Sequence, residues 1–372
     1  MAHTTLPNVK GLLKQEHKTV AGKTPAKSSG KTTRTLGVAV LGTGRIGGSY
    51  IDVVNKIKGA EVVVVAEPRE EQVAPLKKKH PGIEFVADYK EALAMPEVDF
   101  IIGTLPHWLH KKAAIDAAKA GKHIYIEKPM AVTLAECDEM LAAAKKAGVK
   151  LMTAHTQRYY PAVAKAKAVI DSGDLGNLVM VYDYWHKPYQ PETRPKWMLD
   201  RKLGGGMGQM DGTHQLDRTL WIAGNDVYSV SAKVGSITHP ELPCDDTGML
   251  FLRFKSGIAA TLARFAWDKG ATEYGADYFL TKGMVRMRIA YGRGQGQATG
   301  VWIGDTPQGT WKEIPCDNND NSLVDEVQAF VDSLRRGDTD TPVPQMHGRN
   351  VMEILEASET SQETGREVII KK

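Results

Sequence analysis

Cysteine is scarce in this chain of 372 residues: Cys137, Cys244 and Cys316 are odd in number, far apart and never in a CxxC spacing. That pattern argues for a reducing compartment and against a structural zinc site. No stretch approaches the roughly 18 consecutive apolar residues of a membrane span. Nor does charge of one sign mark the body of the chain. The formal net charge is +4, but residues 1–35 hold six Lys and one Arg against one Glu, which leaves the remainder at −2. A basic stripe suited to nucleic acid is therefore missing. The leading segment, rich in Lys, Thr, Ser and Gly, lacks apolar periodicity and reads as a disordered tail. It has neither the apolar core of a secretory signal nor a twin arginine, so a cytoplasmic protein is expected.

What the chain does contain is length for two domains and an ordinary globular composition, 42% hydrophobic and 25% charged. From Leu36 the run LGVAVLGTGRIGGSYIDVVNKI passes from apolar strand to glycine turn to helical periodicity. EVVVVAEP, DFIIGTLP and HIYIEKP follow as short apolar runs separated by helical patterns. This alternation is the signature of βαβ units, and predicts a Rossmann dinucleotide-binding domain over residues 36–155. Beyond it, VMVYDYWH, VYSVSAKVG, GMLFLRFKSGIAATLARF, DYFLTKGMVRMRI and VWIG are strand-like and joined by short turns. Residues 156–372 are therefore expected to form an α+β domain with a large, mainly antiparallel sheet.

GTGRIG gains its force from context, because it follows a predicted strand and opens a predicted helix. Gly42 permits the tight turn, Gly44 lets backbone approach a pyrophosphate, and Gly47 lets helix and strand pack closely. The helix N-terminus adds free N–H groups for phosphate. Glu67, ending the second strand 25 residues after Gly42, is placed to bind ribose hydroxyls and would repel a 2′-phosphate, favouring NAD over NADP. Arg69 pulls the other way, since a guanidinium there suits such a phosphate. Two other glycine clusters, GGGMGQMDG from Gly204 and YGRGQGQATG from Tyr291, lack the strand-turn-helix context. The second of them reads as a mobile hairpin loop.

Glu127 and Lys128 end the predicted strand HIYI, at the edge where open α/β sheets bind ligands. A lysine beside an oxidised nicotinamide has its pKa lowered by burial and by the positive ring, which suits it to exchange a hydroxyl proton. Pro129 restricts Lys128 to an extended backbone and opens the possibility of a cis bond. His107 and His110 are three apart but fall in the predicted cofactor crossing, and no cluster has metal-ligand spacing.

From Leu36 to Ile370 the chain resembles the glucose-fructose oxidoreductase and inositol dehydrogenase (Gfo/Idh/MocA) family. The resemblance rests on GTGRIG, TLPHWLHKKAAIDAAKAGKHIYIEKPMAVT, QRYYPAVAKAKAVIDSGDLG, GGG followed by GTHQLD, DDTGMLFLRF, and HGRNVMEILEASETSQETGREVII, in that order. It implies that Gly42, Thr43, Gly44, Arg45 and Ile46 line the pyrophosphate and Glu67 the ribose. Thr104, Leu105, Pro106 and His110 would line the path to nicotinamide. Lys128 would be the catalytic residue of the EKP motif, and Arg158 would touch cofactor or substrate. The C-terminal sheet would carry substrate contacts on one side and subunit contacts on the other, giving a homo-oligomer.

Many family members place Asp four residues before the helical His, where this chain has Met210; its acid is Asp211. On an α-helix Met210 lies about 40° from His214, and Asp211 about 60° away on the other flank. His214 is then expected to relay a proton or bind the substrate oxygen, with Asp217 orienting it or binding a hydroxyl. Met210 would present apolar surface where relatives present a carboxylate. Trp185, His186 and Trp197 are expected to border the pocket and stack on a ring. The function that follows is an NAD(P)-dependent dehydrogenase or reductase of a sugar, cyclitol or cyclic diol. Its alternatives are an NAD-dependent glycoside-cleaving enzyme, a cis-dihydrodiol dehydrogenase and a dinucleotide-binding sensor.

Overall fold

The computed structural model describes residues 33–290, 299–316 and 320–370. All but the last three residues of the basic tail, and most of the glycine cluster at 291–300, lie outside the described residues. The first sheet contains β1 (Leu36–Leu41), β2 (Ala60–Ala66), β3 (Glu84–Val86), β4 (Val98–Gly103), β5 (His123–Ile126) and β6 (Leu151–Thr153). Their order is β3-β2-β1-β4-β5-β6 and every pairing is parallel, the doubly wound Rossmann arrangement. All six residues of β1 are buried, as expected of a central strand covered by helices on both faces. Those helices are α1 (Gly47–Val54), α2 (Glu70–Lys79), α3 (Tyr89–Ala94), α4 (His110–Lys119) and α5 (Leu134–Ala147). Helix α5 starts where the Thr133 hydroxyl accepts from the Glu136 N–H (3.2 Å) and stops at left-handed Gly148.

After α6 (Pro161–Asp171) the chain builds a nine-stranded sheet with α7 (Thr213–Ala223) laid across it. Its strands are β7 (Leu178–Pro188), β8 (Val227–Gly235), β9 (Thr247–Phe254), β10 (Ala259–Trp267), β11 (Glu273–Leu280), β12 (Gly283–Arg288), β13 (Gly300–Gly304), β14 (Lys312–Ile314) and β15 (Val368–Ile369). All pairings are antiparallel except β7 with β10. The exception follows from connectivity: α7 and the β8–β9 hairpin intervene before the chain returns beside β7 in the same direction. Helices α6, α7 and α9 (Gln345–Thr364) cover one face. The other face leaves Tyr182, Met249, Phe251 and Phe265 exposed.

Helix α8 (Ser322–Arg336) crosses back to the first sheet, where Val327, Phe330 and Val331 pack with Phe100 and Tyr125. The Phe100 and Phe330 rings meet edge to face at 5.5 Å. Among the described residues no helix is long and apolar enough to cross a membrane.

Candidate active site

The C-terminal ends of β1, β2, β4 and β5 open into one cavity of about 1530 Å³ that continues across to β7 and α7. At its cofactor end the glycine turn has the shape a dinucleotide needs. A Cβ on Gly44 would meet nothing within 4 Å, whereas one on Gly47 would collide with the Gly42 carbonyl, so α1 starts tight against the turn. Thr104 clamps that turn, its hydroxyl donating to the Gly42 carbonyl at 2.7 Å. Gly42, Gly44, Arg45 and Ile46 line the cavity; Thr43 and Gly47 stand behind it.

Glu67 is buried in the cavity wall and accepts from the Thr43 N–H and hydroxyl (both 2.9 Å) and from Arg69 Nε (2.7 Å) and Nη2 (2.9 Å). Burial opposes its ionisation, but the Arg69 and Thr43 hydrogen bonds outweigh that and hold its pKa at about 2. The carboxylate is thus charged at any working pH, and the Arg69 guanidinium is folded onto it. Leu105 and Pro106 line the cavity. His110 does not: it is buried between the Pro129 carbonyl (Nδ1, 2.9 Å) and the Leu105 carbonyl (Nε2, 2.8 Å) and braces the two loops together.

Lys128 follows β5 on a cis Lys128–Pro129 bond. Its ammonium donates to the Met210 carbonyl at 2.8 Å, tying the EKP loop to the far domain. Burial lowers its pKa, with Lys187 and Arg194 adding to the effect and Glu127 and Asp211 opposing it. Glu127 lines the cavity, with its carboxylate accepting from the Tyr50 hydroxyl (2.5 Å) and the Lys128 N–H (3.0 Å), and burial raises its pKa. From Tyr50 the hydroxyl chain runs to Tyr125 (3.3 Å) and on to Glu326 of α8 (2.8 Å). Glu326 is fully buried, and burial pushes its pKa up to about 8. A carboxyl whose folded pKa is raised holds a proton that the unfolded chain has released. Stability is therefore expected to fall as pH rises from the ordinary 4.5 toward 8, by at most about 1.4 kcal/mol per unit. Urea midpoints between pH 5 and 8 should show this slope and Glu326→Gln should flatten it; an unchanged slope in the variant would assign it elsewhere.

The substrate end is built by β7 and the segment before α7. Gly208–Gly212 forms a π-helical turn, so the 100° spacing of an α-helix does not hold there. Met210, Asp211 and His214 all line the cavity. Asp211 Oδ1 accepts from Lys187 Nζ at 2.7 Å, and its Oδ2 is buried without a partner among the described residues. His214 is kept neutral, burial and then Lys128 pulling its pKa well below the usual imidazole value, and among the described residues its Nδ1 also has no partner. Upstream, the triple glycine serves packing. A Cβ on Gly204 would sit 2.6 Å from that of His107, whose Nδ1 meets the Gly204 carbonyl at 2.6 Å.

Strand alternation separates the residues expected from β7. Trp185 faces the cavity, stacked on Tyr274 at 4.1 Å, whereas His186 lies on the opposite, open face. The next inward residue is Lys187, which the sequence reading did not single out, although the same period-2 rule pairs it with Trp185. Trp197 lines the cavity, edge-on to His107 at 4.7 Å. Arg158 and Asp217 do not reach it. Arg158 Nε donates to Asp217 Oδ1 at 2.8 Å, and His347 Nε2 lies 2.9 Å from the same oxygen, in a fully buried cluster with His155. His155, Asp217 and His347 lie close enough together for a cation, but the Arg158 guanidinium already neutralises the carboxylate, and the cluster reads as a structural ion pair. Besides Lys187, the cavity includes Gln157 and Tyr160 of the QRYYP motif, with Arg194 and Tyr274 from two separate segments.

Comparison with known proteins agrees with this fold. Residues 36–155 match the oxidoreductase family GFO/IDH/MocA, NAD-binding Rossmann fold, and residues 163–286 match the GFO/IDH/MocA C-terminal domain. The inositol 2-dehydrogenase of Arthrobacter sp. (strain FB24) is 25% identical over 346 residues, 91% of this chain and 97% of that protein. The 1-carboxy-3-chloro-3,4-dihydroxycyclohexa-1,5-diene dehydrogenase of Comamonas testosteroni is 28% identical over 54% of this chain and 51% of its own length. An oxidoreductase from Agrobacterium radiobacter, solved with NAD+, L-tartaric acid and magnesium, shares the fold at a TM-score of 0.79 and 19% identity, covering 90% of this chain and 98% of that one. With the Rossmann strand order, the glycine turn and both matched domains in place, the chain belongs to the GFO/IDH/MocA family of NAD-binding oxidoreductases.

Proposed function

We propose that the protein is a dehydrogenase or reductase that interconverts a secondary alcohol and a ketone on a sugar, cyclitol or cyclic diol, with Lys128 as the proton partner. The observation that carries this reading is the position of Lys128: a lysine of lowered pKa at the end of β5, between the glycine turn and His214 in one continuous cavity. When bound, the nicotinamide exchanges hydride with the substrate carbon. Lys128, in its neutral form, takes the hydroxyl proton during oxidation and returns it during reduction. His214 holds the substrate oxygen from the α7 side, and Trp185 and Trp197 supply flat apolar walls suited to a ring. Relatives named as inositol and dihydroxycyclohexadiene dehydrogenases support the same class. Glu67, charged and backed by Thr43, favours NAD over NADP. The test is a screen of polyols, sugars, dihydrodiols and glycosides with each cofactor, read at the nicotinamide absorbance. Net NADH formation supports the reading, and glycoside cleavage without net cofactor turnover replaces it.

The same reading includes a cytoplasmic homo-oligomer. Support for the location is the sparse cysteine content, three in 372 residues with no CxxC spacing. Support for assembly is the open sheet face, where Tyr182, Met249, Phe251 and Phe265 are 38–57% exposed on one side of three adjacent strands, with Tyr182 and Phe251 flanking Thr261 in register. Contiguous exposed apolar surface of this kind marks an interface, and a self-complementary face gives a two-fold dimer. Light scattering should give a multiple of the 40.7 kDa chain mass. Phe251→Asp should shift it toward the monomer while leaving NAD binding intact; a monomeric wild-type chain would sink this part.

A further inference from the structure

The end of the cavity that holds Lys128 is crowded with positive charge. Lys187 and Arg194 line it as well, and both disfavour the charge on Lys128. Of the nearby carboxylates, Glu127 accepts from the Tyr50 hydroxyl, and Asp211 gives one oxygen to Lys187. Arg194 is held on both sides of its guanidinium. Its Nε donates to the Tyr189 carbonyl at 2.7 Å, and its plane lies over the Tyr189 ring at 4.5 Å. Among the described residues its two terminal amino groups have no hydrogen-bond acceptor. A guanidinium fixed at Nε and by stacking, with its terminal groups left over, is a preorganised fork for a planar anion. Asp211 and His214 line the same cavity; among the described residues Asp211 Oδ2 and His214 Nδ1 have no hydrogen-bond partner, but both atoms are shielded from the cavity.

We propose that the substrate is a polyhydroxylated carboxylate, a sugar acid or a cyclic diol acid, whose carboxylate is held by the Arg194 fork beside Lys187 and whose hydroxyls reach Asp211 and His214. The proposal takes the reacting alcohol from the dehydrogenase reading, but the binding subsite stands apart from it. Arg194 touches only the carboxylate and takes no part in proton transfer. An acid is bound more tightly than its neutral amide by roughly 10- to 100-fold, the range of a charge-assisted hydrogen-bonded pair.

The experiment measures binding rather than turnover, by tryptophan fluorescence with saturating NADH. D-glucuronate, D-galacturonate, D-gluconate and quinate are compared with their amides, and with D-glucose 6-phosphate. In the wild type at least one acid is expected to bind 10- to 100-fold more tightly than its amide, and Arg194→Met to erase that preference while NADH still binds. If no acid is preferred to its amide, if the sugar phosphate binds and the acids do not, or if Arg194→Met retains the preference, the proposal is overturned. Acid preference without NADH formation would sink the dehydrogenase reading alone; turnover of neutral polyols without acid preference would sink this one alone.

Discussion

Replacing Lys128 by methionine is expected to lower kcat by roughly 10²- to 10⁴-fold, the range typical of a lost general acid–base group. Methionine keeps the length and apolar stem of the side chain and removes the amine, along with its hydrogen bond to the Met210 carbonyl. NADH affinity, read by fluorescence, should change far less. The wild-type pH profile should identify the amine. Oxidation needs Lys128 unprotonated, so kcat/KM in that direction rises with pH and levels off at the lysine's pKa, which burial places below the usual 10.5. In the variant that limb should vanish. A variant that keeps both its turnover and its rising limb would remove Lys128 from the chemistry.

Arg218→Met is expected to produce the largest loss of stability, about 3–5 kcal/mol, because it strands a buried charge. Arg218 Nη2 and Nε donate to Asp183 at 2.6 and 2.5 Å, and both side chains are wholly shielded from solvent. The pair pins α7 to β7, so it also fixes where His214 and Lys187 stand. Denaturant unfolding measures the loss, and the double variant Arg218→Met/Asp183→Leu should recover part of it by removing the stranded carboxylate. A single variant as stable as the wild type would show that Asp183 is not charged in the folded protein.

Most of the first domain was legible in the sequence because its signals are local. GTGRIG, Glu67 and EKP each sit at the end of a strand whose apolar run is visible, and the strand end itself defines the site. The second domain was less legible because its site depends on sidedness and on distant pairings. His186 and Lys187 differ by one position, and the aromatic character of WH drew attention away from the lysine. Arg158 and Asp217 carry the residue types of a binding site, but 59 residues apart in sequence they close on each other. The helical geometry used for Met210 and Asp211 failed for a different reason. A π turn holds more residues than an α turn, and nothing in GQMDG announces it. The return of α8 to the first sheet was equally silent, since its apolar stripe fits any partner.

The bond from Lys128 to residue 210 is made to the main chain, so it survives whatever side chain that position carries. The anchor of the amine and the surface offered to the substrate are therefore separately adjustable. A different side chain at 210 would change the surface lining the cavity and leave the lysine's anchor in place. The departure at Met210 is in this sense a change of lock with the hinge left untouched.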